Sequence, residues 1–171
     1  MLALQAPQNK IGSGSETMLE DCKSAQERWG GVSEIIDRWL NERQELLVDY
    51  CELSNAISEK QSTEYGPMLR KVCQIMVDYV SAGHFEVYEQ LMQEAKDFDD
   101  QDALRKASVP YKTIDATTED ILDFNDKYQE IDDLETLSPD LSKVGEWLAT
   151  RFEAEDKMIE LLHVAHKDLV A

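Results

Sequence analysis

The chain has little of what would point to a membrane, a secreted protein or a nucleic-acid binder. No apolar run comes near the roughly 18 residues of a membrane-spanning helix, so a soluble domain is expected. Its three cysteines, Cys22, Cys51 and Cys73, are too widely spaced for a disulfide framework and indicate a reducing compartment. The N-terminus does not resemble a secretory signal, so we expect a cytoplasmic protein.

Basic residues are also few. The 171 residues include 17 Lys and Arg against 36 Asp and Glu, which gives a formal net charge of −19. A chain this acidic is repelled by the phosphates of nucleic acids and by anionic lipids. We therefore expect no direct nucleic-acid or membrane partner, and a basic protein as the favoured one.

The motifs of common enzyme classes are missing as well. There is no glycine-rich phosphate loop, no hydrolase elbow and no zinc-type cysteine and histidine spacing. Glu160-x-x-His163 is a single ExxH pair, whereas a di-metal site in a bundle needs two. With His166 it supports the alternative hypothesis of a metal- or small-molecule-binding bundle enzyme. His84 lacks an evident nucleophile and is expected to hydrogen-bond within its own helix, so we expect neither an enzyme nor a cofactor.

Apolar residues recur at the spacing of helices, and no segment alternates like a strand. Gly30-Gly31 is expected to end a first helix. Val109-Pro110 is expected to keep residues 97–116 as a loop with one short helix. The predicted helices cover residues 17–29, 33–55, about 66–91, 117–131 and 138–165.

These helices predict an all-α fold, an up-and-down four-helix bundle with additional short helices. Residues 18–171 are expected to form one domain, while residues 1–17 are predicted to be a flexible tail or an expression remnant, with Met18 a candidate start. Arg151 and Glu155, one turn apart, are expected to form a structural ion pair. The expected core residues are Ile36, Leu40, Leu47, Ile75, Met76, Tyr79, Leu148 and Phe152.

The helix that carries VDYVSAGHFEVYEQL, residues 77–91, has two distinct sides. Its apolar stripe is typical of a helix packed in a bundle. Gly83 lies within that stripe and predicts a kink or a close helix contact. The opposite side is expected to be free to bind, and its polar line consists of Lys71, Gln74, Asp78, Ser81 and Phe85.

Three stretches carry a resemblance to a known family. They are SEIIDRWLNERQELLVDYCEL, residues 33–53, VDYVSAGHFEVYEQL, and VGEWLATRFEAEDKMIELL, residues 144–162. All three resemble segments of the Rsd/AlgQ family of bacterial anti-sigma factors. LEDCKSAQERWGG and DFNDKY are similar to the AlgQ-type alginate regulators in particular.

The resemblance implies a helical protein that binds the primary sigma factor of RNA polymerase, chiefly its region 4, a basic helix-turn-helix that reads the −35 promoter element. For AlgQ-type proteins it also implies effects on alginate and siderophore genes. An acidic helix face can occupy basic residues that would otherwise contact DNA. An acidic adaptor for another regulatory protein remains a further hypothesis. The implied contact residues, of which Trp39 and Tyr79 are alternatively core supports, are Asp37, Arg38, Trp39, Asp78, Tyr79, Ser81, Gly83, His84 and Phe85.

Overall fold

The structure, a computed structural model, describes residues 14–59, 65–129 and 135–170, with side chains from residue 24. No β-strand occurs in these three ranges, so the prediction of an all-α fold is confirmed. No helix in them is long and apolar enough to cross a membrane. The elements are α1, Gly14–Glu59; α2, Tyr65–Ala82; a π-helical turn, Gly83–Val87; α3, Tyr88–Asp97; α4, Gln101–Lys127; α5, Leu137–Leu162; and a 3₁₀ helix, Val164–Leu169.

Four long helical rods form the bundle, because α2, the π-turn and α3 follow one another without a break. Contacts within three neighbouring pairs of rods show that the two members run in opposite directions, as in an up-and-down arrangement. The pairs that show this are Trp39–Tyr79 and Asp49–Lys71 between α1 and α2, Thr118–Arg151 and Lys127–Asp140 between α4 and α5, and Trp29–His163 and Tyr50–Leu141 between α1 and α5.

The hydrophobic core runs along the bundle axis and draws on every long helix. Its apolar residues recur every three or four positions, which gives each helix one buried face. Among the expected core residues, Ile36, Met76, Tyr79 and Leu148 are buried. The other four, Leu40, Leu47, Ile75 and Phe152, are partly buried, and all of these but Leu47 pack against the core.

The prediction that Gly30-Gly31 ends a helix is wrong. Helix α1 passes through both glycines, and neither has a positive φ. Each glycine costs the helix only about 1 kcal/mol relative to alanine. Trp29, just before them, stacks on His163 at 4.2 Å between ring centroids and donates to its carbonyl oxygen. Packing against the C-terminal region therefore keeps α1 continuous.

The predicted loop at residues 97–116 is also wrong, since most of it belongs to α4. Pro110 lies inside that helix and is buried. A proline removes one backbone hydrogen bond, and here the contact of α4 with α5 outweighs that loss. Thr117, expected near a helix start, is buried in mid-helix, and its hydroxyl donates to the Ile114 carbonyl oxygen. The N-cap is Asp100, whose side chain accepts the Ala103 N–H.

The remaining boundaries agree more closely. Helix α5 begins at Leu137, next to the predicted Ser138-Pro139 start, and ends at Leu162, with the 3₁₀ helix following. The predicted helix end near residue 131 lies outside the described residues. So does most of the predicted tail, residues 1–17, although its last four residues belong to α1.

Candidate partner-binding surface

The outward side of α2 and the π-turn combines a charge with an exposed aromatic ring. Asp78 is exposed and accepts a hydrogen bond from Gln74 at 3.0 Å. Phe85 is 79% exposed, the most exposed of the large apolar side chains in the described residues. An aromatic ring this exposed is typical of an anchor for a partner.

Gly83 explains why the helix widens just before Phe85. A Cβ at Gly83 would lie 2.9 Å from the Tyr88 ring, closer than real Cβ atoms come, and 3.1 Å from the Trp39 ring, which is tighter than most real Cβ contacts. The backbone therefore approaches both rings as only glycine allows. The Tyr88 N–H donates to the Gly83 carbonyl oxygen, five residues back, and closes the π-turn. The predicted close contact at Gly83 is confirmed.

A groove of about 580 Å³ separates α1 from α2 beside Asp78. Glu42, Glu45 and Asp78 line it, and Lys71 pairs with Asp49 at 3.3 Å farther along. We call this surface the acidic face. Its residues, on α1, α2 and the π-turn, are Asp37, Arg38, Glu42, Glu45, Asp78, Phe85 and Glu86.

Glu42 is a partly buried carboxyl group of the acidic face. Burial raises its pKa, and the negative charges of Asp78, Glu45 and Glu86 raise it further, against the opposing effect of Arg38. None of the described residues hydrogen-bonds to its buried Oε2 atom. A partly buried carboxylate that faces like charges is stabilised by an approaching cation. The groove is thus suited to an arginine or lysine side chain.

Beneath the acidic face lies a polar network centred on Glu155 of α5, which is completely buried. Tyr79 donates to its Oε1 at 2.5 Å, and Tyr88 donates to its Oε2. Arg151 Nε lies 3.2 Å from Oε2, and Arg43 Nη2 lies 3.3 Å from Oε1. The predicted structural pair of Arg151 and Glu155 is therefore confirmed.

The network has the electrostatics of a closed structural site. Burial raises the pKa of Glu155, while its two arginines and two tyrosines pull it back down. Burial and the nearby Glu155 carboxylate raise the pKa of Tyr79 and Tyr88 well above the usual tyrosine value. Every donor and acceptor around Glu155 is thus engaged within the chain, which suits a structural role.

His84 bonds across the bundle, so the prediction of a bond within its own helix is wrong. Its Nε2 lies 3.0 Å from Thr118 Oγ1 and 3.3 Å from Arg151 Nη2. Burial, and then the charge of Arg151, lower its pKa. The physical reason is that the π-turn directs this ring towards α4 and α5, where it meets the buried network.

Of the three residues of the alternative hypothesis, Glu160 lies apart from the two histidines, which share Glu94. Glu160 is exposed and lies 3.8 Å from Lys157, whereas His163 Nδ1 binds Glu94 at 2.6 Å. His166 lies between Glu94 and Asp100, at 3.0 and 2.9 Å. Across the described ranges, no three His, Cys, Asp or Glu side chains are arranged to hold a metal ion. The two histidines tie the C-terminal segment to α3 and the start of α4.

Comparison with known proteins accounts for most of the chain. The family model described as "Regulator of RNA polymerase sigma(70) subunit, Rsd/AlgQ" matches residues 18–163. The chain belongs to the Rsd/AlgQ family. The protein "Regulator of sigma D" of Yersinia pseudotuberculosis serotype O:1b is 34% identical over 151 residues, covering 84% of this chain and 88% of its own length. "Regulator of sigma D" of Enterobacter sp. strain 638 is 35% identical over 167 residues, covering 90% and 98%.

The contact residues implied by the Rsd/AlgQ resemblance fall into two groups. Those with exposed side chains are Asp37, Arg38, Asp78 and Phe85, while Ser81 and His84 are partly buried. Trp39, Tyr79 and Gly83 are buried at the α1–α2 contact, where the Trp39 and Tyr79 rings stack at 4.7 Å. These three lie beneath the surface and support it.

Sequence reasoning missed two carboxylates of the acidic face, Glu42 and Glu86. Glu42 lies one turn after Arg38 and one turn before Glu45, and that spacing could have placed it on the same helix row. Glu86 directly follows Phe85, but its closeness to Glu42 depends on how α1 packs on the π-turn. No sequence signal predicts that packing.

Proposed function

We propose that this chain is an anti-sigma factor that binds region 4 of the primary sigma factor and blocks recognition of the −35 promoter element. Membership of the Rsd/AlgQ family supports the general role, and the relatives named "Regulator of sigma D" are similar over most of their length. By the AlgQ-type resemblance, the redistribution of RNA polymerase among sigma factors would affect alginate and siderophore genes.

The acidic face is the observation that carries the proposal. Phe85 offers an apolar anchor, and Asp78, Glu42 and their acidic neighbours offer the opposite charge to a basic helix. An aromatic anchor beside charged groups is the usual composition of an interface hot spot. The side chains that contact DNA phosphate would be the ones bound here, so the two events exclude each other.

A metal- or small-molecule-binding enzyme has no comparable support. Glu160 is exposed, while His163 and His166 are already paired with Glu94 and Asp100. A basic regulatory protein other than sigma would use the same surface chemistry. The binding test distinguishes such a partner from sigma, and this alternative requires no separate site on the chain.

Asp78→Ala tests the proposal. Asp78 is exposed, so folding stability should change by no more than about 0.5 kcal/mol. If Asp78 pairs with a sigma arginine that loses its water in the complex, binding should weaken by about 2 to 5 kcal/mol, because the arginine is left buried and unpaired. Thermal unfolding and calorimetric titration with sigma region 4 on one preparation measure both effects.

Asp126→Ala is the matched control. Asp126 is also exposed and lies on α4, so the variant has the same change of net charge at a different surface. We expect binding close to that of the unchanged protein. Equal losses of affinity in the two variants would show that only the net charge matters. A large loss of stability in Asp78→Ala would show that Asp78 has a structural role. Either result removes Asp78 from the interface.

Binding should also weaken steeply with salt. The two charged surfaces attract each other during the encounter, and salt screens that attraction over about 8 Å at physiological ionic strength. Titrations at low and high salt give the slope. A flat affinity would mean that apolar contacts such as that of Phe85 dominate, which contradicts an interface driven by acidic residues.

A further inference from the structure

The two tyrosines that hydrogen-bond to Glu155 have a spacing along the chain that a regular α-helix would not allow. Tyr79 and Tyr88 are nine positions apart, which is about two and a half turns of a regular α-helix. At that spacing their side chains would leave the helix on opposite sides. Yet both hydroxyls donate to the same carboxylate, one to each oxygen.

The π-turn between them resolves this conflict. A turn closed by a bond from residue i+5 contains one more residue than an α-turn, so each residue turns the helix through a smaller angle. The Tyr88 N–H donates to the Gly83 carbonyl oxygen in this way. The extra residue brings Tyr88 round towards the side of Tyr79. The two-tyrosine clamp on Glu155 therefore depends on the π-turn.

The outer side of the same turn carries Phe85. Its neighbour His84 is held from inside by Thr118 at 3.0 Å and Arg151 at 3.3 Å, and Gly83 packs against the Tyr88 ring. The two residues just before Phe85 are thus fixed against the interior. The direction of Phe85 follows from them, because the ring itself has no such contact at 79% exposure.

We propose that Glu155, by binding Tyr79 and Tyr88, is a positioning residue for the acidic face: it keeps residues 83–87 as a π-turn and so sets Phe85 relative to Asp78. This inference rests on the proposed function, because it assigns an effect on partner binding to a residue that no partner can touch. Without the clamp, the turn would relax towards regular helix, and the direction of Phe85 relative to Asp78 would change.

Tyr88→Phe tests the proposal, with Tyr128→Phe as its matched control. Both substitutions keep a buried ring and remove a hydroxyl bonded to a carboxylate, Glu155 in one case and Asp140 at 2.6 Å in the other. Tyr128 lies just after α4 and far from the π-turn in sequence. Both unfolding midpoints should fall, and further in Tyr88→Phe, because Glu155 is completely buried whereas the Asp140 side chain is 23% exposed. Affinity for sigma region 4 should fall about tenfold in Tyr88→Phe and change by less than about twofold in Tyr128→Phe.

A double-mutant cycle shows whether the effect passes through Phe85. In a Phe85→Ala background, adding Tyr88→Phe should weaken binding by less than about twofold, because no ring remains to be positioned. A full tenfold loss in that background, or equal losses in the two tyrosine variants, would overturn the proposal. If Tyr88→Phe does not fold, Tyr79→Phe removes the other hydroxyl of the clamp and takes its place.

Amide hydrogen exchange tests the same inference without a partner. The Tyr88 N–H and the amides of residues 83–87 should exchange faster in Tyr88→Phe and at their original rates in Tyr128→Phe, relative to global stability. Unchanged exchange in this turn would overturn the positioning role whatever happens to binding. If the original protein does not bind sigma region 4, the proposed function fails, and faster exchange would still show that Glu155 holds the turn.

Discussion

Glu155 and Glu42 are both carboxylates whose pKa burial raises, but their surroundings are opposite. Around Glu155, two arginines and two tyrosines supply favourable charge and hydrogen bonds, which lower the pKa again. Around Glu42, the charges of Asp78, Glu45 and Glu86 raise the pKa further, and the positive charge of Arg38 opposes them only in part. One carboxylate is neutralised by its own chain, and the other is surrounded by charges of its own sign.

This difference distinguishes a structural site from a binding surface. A buried charge is tolerated when its partners come with the fold, as they do for Glu155. A partly buried carboxylate among acids is kept at a cost in stability, and a cationic partner relieves that cost on binding. Functional residues are expected where the chain leaves such a charge uncompensated.

The largest expected effect is on the interior site. Glu155→Ala leaves Arg151 buried without its carboxylate and should lower the free energy of unfolding by about 3 to 5 kcal/mol. The adjacent Asp156→Ala is the control: Asp156 pairs with Arg43 at 2.6 Å, but its side chain is 61% exposed, so at most about 1 kcal/mol is expected. Denaturant unfolding measures both, and similar losses would contradict the closed character of the network.

An intermediate effect is expected at Gly83, which joins the interior to the surface. Gly83→Ala places a methyl group against the Tyr88 and Trp39 rings and should cost about 1 to 3 kcal/mol. Gly30→Ala is its counterpart in α1, where a Cβ would meet nothing within 4 Å, and it should stabilise the protein by about 0.5 to 1 kcal/mol. Thermal unfolding of both distinguishes them. A harmless Gly83→Ala would mean that the rings can move aside.

The smallest expected effect is on stability at the acidic face. The folded-state pKa of Glu42 is raised, so its ionised form destabilises the fold, and that penalty is present at neutral pH and disappears as pH falls below the folded pKa. Glu42→Gln should therefore stabilise the protein by less than about 1 kcal/mol at pH 7, with the difference vanishing towards pH 4. Unfolding measured across that pH range checks the sign.

The same variant should bind sigma region 4 more weakly, because it lacks a negative charge in the groove. Opposite changes in stability and affinity would sharpen the contrast with Glu155. If Glu42→Gln lost stability at pH 7, a favourable partner for Glu42 within the chain would be implied, and the contrast would fail.

Much of the fold was predictable, and the errors have a common physical origin. Helical periodicity predicted the all-α bundle, the buried faces and the Arg151–Glu155 pair, because these depend on spacing along one helix. The predictions at Gly30-Gly31 and Val109-Pro110 were wrong because the local helix propensities cost only about 1 to 3 kcal/mol. The free energy gained by packing α1 on the C-terminal region and α4 on α5 is larger. The candidate surface was predictable at Asp78 and Phe85, which share one helix face, and not at Glu86.

The sequence by itself determined the helical periodicity, the acidic charge and the exposed line through Asp78 and Phe85. Those properties depend on residue type and on neighbours three or four positions away. The tertiary structure alone decided that Tyr79 and Tyr88 reach one carboxylate through a π-turn, that His84 bonds to α4 and α5, and that Glu42 faces like charges. Each of these joins residues from different helices, and the geometry of helix packing is not written in the spacing along any one of them.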